Sequence, residues 1–293
     1  MDQAERLREM VRNQDAPKRT ARVITVTSGK GGVGKSSISV NLGIALSQAG
    51  KRVVILDADF GLANVEVMLG IRPRSNLADL IFRGKSLSDI ITRGPENIGF
   101  ISGGSGIQEM NNLTRDQIVY LVQKLSELDQ RADVIIIDTG AGITDAVLEF
   151  IAASSEVLLV TTPEPTSITD AYALMKTLKR KADFSHEDAV IRMISNRVSS
   201  EEEGRELFDK LSAVVHKFLH IKMDYLGTLL QEDMVSKAVI HQKPALLLYP
   251  NSHFSKKIYE FADVLCKKEV EPRKERRGIA QMISRFLLSR NRK

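Results

Sequence analysis

Two lysines and three aspartates carry most of the chemistry this chain can do. Residues 29–36 read GKGGVGKS and satisfy the pattern G-x-x-x-x-G-K-[ST]. Gly29, Gly31, Gly32 and Gly34 let the backbone curl around Val33, so that successive N–H groups meet phosphate oxygens. Lys35 would set an ammonium on the β/γ-phosphates, and the Ser36 hydroxyl suits Mg²⁺, with Ser37 beside it. Lys30 is a second lysine inside the loop, more than one phosphate cradle needs. Asp57 and Asp59 end the run KRVVILDAD, and Asp138 closes ADVIIID. Carboxylates at the C-terminal edge of a parallel sheet stand beside bound phosphates, where they hold a Mg²⁺-bound water or orient an attacking one.

Those residues need a scaffold, and its elements are legible. RVITVTS (22–28) is a β-branched strand leading into the loop, and a helix follows that closes at Gly50. The continuous apolar runs at 132–138, 155–162, 189–196 and 223–230 suit central parallel strands. Helical stretches lie near 144–152, 167–181, 201–219, 232–241 and 252–267, whereas 60–115 gives no clear pattern. Alternating strands and helices imply an α/β fold: one domain, a mostly parallel sheet and helices on both faces. A short helix is expected over 1–14, where Ala4, Leu7 and Val11 share a side.

The chain has 293 residues, of which 43% are hydrophobic and 27% charged, so a disordered or fibrous chain is excluded. Its single cysteine, Cys266, excludes a disulfide framework and a cluster held by the chain's own thiolates. No apolar run approaches the ~18 residues of a membrane span, and the charged start lacks a secretory core. A cytoplasmic protein is expected. The net charge of +5 is uneven: residues 267–293 carry ten Lys/Arg against three Asp/Glu, while 23–266 is net acidic. A basic tail suits an anionic partner.

GKGGVGKSS resembles the deviant Walker A loop of the MinD/ParA class of ATPases, a resemblance that covers about 22–266. The resemblance implies ATP and Mg²⁺ as cofactors and a homodimer that forms with ATP. In it Lys30 reaches the partner's nucleotide, Asp59 positions the water, and Ser36 holds Mg²⁺ with Asp57 in its outer shell. VIIIDTGAG (134–142) resembles the Walker B strand and γ-phosphate switch, which adds Asp138 to that shell; the family more often has Pro where Gly140 stands. Glu164 and Asp170 match acidic positions that pair with the loop lysine. Asn196 matches an adenine-contacting asparagine, and the late block 227–250 implies Gln231 and Glu232 beside the base. No N/TKxD guanine motif is present, which favours ATP over GTP.

The ends narrow the resemblance. In 278–293, Ile279, Met282, Ile283, Phe286 and Leu287 form an apolar stripe after a charged linker, 268–277. The pattern suits an interfacial helix on an anionic membrane, and MinD-type members resemble it in carrying one. Reversible attachment to the inner face of the cell membrane is expected. A core or dimer helix is the alternative. DQAERLR (2–8) is similar to the DQAxxLR motif of FlhG-type members, also called YlxH or FleN. That similarity implies that 1–21 stimulates the FlhF GTPase, with Gln3 near the attacking water. It further implies flagellar basal-body (C-ring) proteins as partners and a role in flagellar number or placement. A division-site MinD and a ParA-type DNA-partitioning ATPase remain as rivals. The acidic body argues against nucleic acid as a partner.

Overall fold

A computed structural model describes residues 20–59, 64–103, 115–181, 184, 189–267 and 279. Eight strands form one sheet: β1 (Arg22–Thr27), β2 (Val53–Ala58), β3 (Thr92–Arg93), β4 (Gly99–Ile101), β5 (Val134–Thr139), β6 (Glu156–Thr161), β7 (Val190–Val198) and β8 (Asp224–Leu230). Their order is β3-β4-β2-β5-β1-β6-β7-β8. Every pairing is parallel except β3 with β4 at one edge. The four apolar runs read as central strands are β5, β6, β7 and β8. Of these, β5 and β6 are central and buried throughout. By contrast, β8 is an edge strand in which only Thr228 and Leu229 are buried, because no further strand covers it.

Alternation along the strands splits the core in two layers. Ile24, Val26, Ile55, Val134 and Ile136 face the helices Lys35–Gln48 and His253–Lys267. Val23, Leu56, Ile135 and Ile137 face the other way, with Leu121, Leu125 and Leu128. Val157, Leu159 and Met193 continue that second face beneath Asp145–Ala153, Pro165–Lys179 and Glu201–Leu219. The sheet is therefore covered on both sides, as parallel pairing requires.

The topology gathers the chemistry at one edge. β1 lies between β5 and β6, and the chain reverses direction across the sheet there. β2 and β5 are neighbours in a register that sets Asp57 opposite Asp138. The illegible stretch 60–115 contains β3, β4 and several short helices. Among the described residues no helix is long and apolar enough to cross a membrane.

Candidate functional site

The helix Lys35–Gln48 begins without a side-chain cap. Its N-cap is Gly34, in the left-handed region at φ 98°. The first amide donors of this helix are thus left for an anion, in a field that favours negative charge. A Cβ on Gly34 would stand 2.5 Å from Asn196 Nδ2. One on Gly29 would run into the backbone of Asp170. Both glycines are therefore fixed by close approach, and Gly34 by its positive φ as well.

A cavity of about 470 Å³ opens above this helix end, bordered by Gly31, Gly32, Gly34, Lys35, Ser36 and Ser37. Lys35 is buried and donates to Ser28 Oγ at 3.0 Å. Burial lowers its pKa, and Asp138 and Asp59 partly restore the charged form. Ser28 Oγ in turn donates to the Lys30 carbonyl at 2.7 Å, which fixes the loop below the ammonium.

Asp57 and Asp138 form a buried acidic pair. Asp57 accepts from the backbone of Asp59 and of Val65, each at 3.1 Å. Burial, then the Asp138 charge, pushes its carboxyl up to about 8. Asp138 Oδ1 accepts from Ser39 Oγ at 2.9 Å, and burial lifts that carboxyl to about 6. Asp138 Oδ2 is buried without a hydrogen-bond partner among the described residues. An orphaned acceptor beside Ser36 fits a hydrated cation, because buried oxygens are otherwise paired. Asp59 borders the cavity, accepts from Asn64 Nδ2 at 3.0 Å and faces Gly140. A Cβ at Gly140 would touch Asp59 at an ordinary 3.5 Å, so this position has room for more than glycine. The segment after β5 is tied to the loop by a bond from the Gly142 N–H to the Ser28 carbonyl at 3.2 Å.

Lys30 is turned away from the cavity. It pairs with Glu164 and donates to Thr166 Oγ1 at 2.8 Å, both at the start of Pro165–Lys179. Among the described residues no ion pair joins Lys30 to Asp170, which offers its backbone to Gly29 instead.

At the far end, Asn196 donates to the Val33 carbonyl at 2.7 Å, and Gln231 and Glu232 border the cavity with Leu230, Val235 and Phe254. The Glu232 carboxylate is engaged elsewhere: it accepts from the backbone of His253 and Phe254 at 3.2 and 3.0 Å, capping the last body helix. Arg197 also borders this end, at a bulge of β7 with φ 58°. Sequence reasoning missed Arg197, as it missed Ser28, Ser39, Asn64 and Thr166. Only the hydroxyl four residues beyond Lys35 and the threonine just after Glu164 carry a local hint.

Ile279 differs from its expected place on a lipid-facing stripe. It is fully buried in the body, in one cluster with Ala21, Leu128 and Ala132. Its neighbours in that stripe, Met282, Ile283, Phe286 and Leu287, lie outside the described residues, as do Gln3, the helix expected over 1–14 and the linker.

Comparison with known proteins agrees with this geometry. The ParA family model, described as a NUBPL iron-transfer P-loop NTPase, matches residues 19–266. The antiactivator FleN of Pseudomonas aeruginosa is 45% identical over 80% of this chain and 82% of its own length. The flagellum site-determining protein YlxH of Helicobacter pylori is 34% identical over 86% of this chain and 84% of its own. The septum site-determining protein MinD of Pyrococcus horikoshii, solved with Mg-ADP, shares the fold at a TM-score of 0.66 and 23% identity, over 84% of this chain and 96% of that one. The chain belongs to the MinD/ParA class of P-loop ATPases, in the group that includes FleN and YlxH.

Proposed function

We propose that this protein is an ATP-controlled dimerisation switch that regulates flagellar number or placement. ATP and Mg²⁺ are the cofactors of its class, and the donor set fits them. The observation that carries the reading is the division of labour between the two loop lysines. Lys35 points into the chain's own cavity, and Lys30 lies outside it on Glu164 and Thr166. A loop cation that lies outside its own chain's cavity suits a second copy's nucleotide.

In this reading the amides of Gly31–Ser37 and the Lys35 ammonium bind the phosphates. Ser36 would hold Mg²⁺, and Asp57 and Asp138 would hold water bound to it. Mg²⁺, when bound, offsets charge on the transferring phosphoryl group. Asp59, steadied by Asn64, orients the attacking water. Asn196 stays on the loop beside the base, Gln231 closes the wall, and Glu232 serves by capping rather than by contact. Two membrane helices on one dimer bind far better than one, through effective concentration, so dimerisation would set membrane residence. The flagellar role rests on the relatives FleN and YlxH and on the DQAERLR segment.

The test is GTP hydrolysis by FlhF with the full chain and with its Gln3→Ala variant. Stimulation by the first and little by the second is the expected result. No stimulation by either would remove FlhF as the partner and leave an ATPase switch with another target.

A further inference from the structure

Asp129 belongs to no part of the nucleotide site. It lies in the helix Leu128–Arg131, by the entry to β1, whereas the phosphate loop follows the exit of that strand. Its Oδ1 atom accepts two backbone hydrogen bonds, from the Ala21 N–H at 3.3 Å and from the Ile279 N–H at 3.2 Å. Ala21 is the residue before β1, so it is the root of the N-terminal segment. Ile279 opens the C-terminal apolar stripe. Both side chains sit in the same buried cluster with Leu128 and Ala132. Ala21 and Ile279 thus meet on one oxygen atom. Burial holds this carboxyl up to about 6, against the pull of both N–H donors toward the anion.

We propose that Asp129 is a positioning residue that joins the roots of the two tails, so that displacing either one loosens the other. Ile279 shields the Asp129–Ala21 bond from water. When Ile279 leaves, the carboxylate is rehydrated and water competes for the bond to Ala21. Linkage makes the effect reciprocal: an N-terminal segment drawn away by a partner weakens the seat of Ile279 by the same factor. The proposal deepens the switch reading and rests on it for what the tails do. Membrane capture of the C-terminal helix would free the N-terminal segment for its partner.

Residue-resolved amide exchange on the full chain tests this in solution. Ile279→Asp should speed exchange at Ala21 by about ten-fold, the size of one hydrogen bond to a charged group. In the Asp129→Ala background, Ile279→Asp should add nothing at Ala21. Asp129→Asn serves if the alanine variant does not fold. It keeps a neutral acceptor, and the acceleration should shrink to about three-fold, since neutral bonds are about half as strong. The proposal is overturned if Ala21 exchange ignores Ile279→Asp, or if the full acceleration survives removal of the Asp129 charge. Vesicle sedimentation of the unmodified protein tests the membrane role separately. Its failure would sink that role while the solution coupling still stood.

Discussion

Lys30 and Glu164 form an ion pair within one chain, outside the cavity that Lys35 borders. Both partners are well exposed, at 35% and 53% of their side-chain surface, so the pair is a weak latch. Exposed pairs contribute about 0–1 kcal/mol. Glu164→Ala should therefore release Lys30 and tighten the ATP-dependent dimer by less than about five-fold. Light scattering across a protein dilution series measures it. A weaker dimer would instead assign Glu164 to the partner's lysine.

Nucleotide affinity should depend on the glycines that have no room for a methyl group. Gly34→Ala meets both an unfavourable φ and the Asn196 amide. It should weaken binding of a fluorescent ATP analogue by more than about ten-fold, since left-handed strain alone costs of order 1 kcal/mol. Gly50→Ala is the control. Its φ is also positive, at 84°, but nothing lies within 4 Å of the added atom. That variant should lose thermal stability and keep its affinity.

Asp59→Ala should separate binding from hydrolysis. Asp59 borders the cavity beside Asn64 and Gly140, and the glycine loop and Lys35 are placed without it. ATP binding and dimerisation should persist, turnover should fall by at least about 100-fold, the scale of general-base losses, and dimers should accumulate. Turnover near that of the unmodified protein would transfer the water-positioning role elsewhere.

The seat of Ile279 should strengthen as pH falls. Seated, the Asp129 carboxyl titrates at about 6; released into water, it moves toward the ordinary Asp value of about 3.9. The seated form therefore binds more protons between those values. Its advantage is greatest below the lower value and is lost as pH rises through about 6, by at most about ten-fold per pH unit. Protection of the Ile279 amide, corrected for intrinsic exchange, should decline between pH of about 5 and 7. Protection that grows with pH would refute the assignment.

The strands that hold the site were legible because each is a long buried run next to its own signal, as with RVITVTS before the glycine loop. The stretch 60–115 was not. Its strands have two and three residues, too few for a period to register, and its short helices rely on local caps. Asn76 with Asp79, and Ser86 with Asp89, close capping boxes at the starts of two of them. Within the site, Lys30, Lys35, Asp57, Asp59 and Asp138 stand in contiguous motifs. Ser28, Ser39, Asn64 and Thr166 acquire their roles only from neighbours distant in sequence or across a turn. Glu232 shows the converse: its position was readable, but its carboxylate went to a helix start that only the fold brings near.

Light scattering of Lys30→Ala with Mg-ATP, beside the unmodified protein, tests the switch most directly. The expected result is a dimer for the unmodified chain and a monomer for the variant, with nucleotide still bound by both, because Lys30 lies outside the cavity of its own chain. A Lys30→Ala dimer of unchanged affinity would contradict the role of that lysine across the interface.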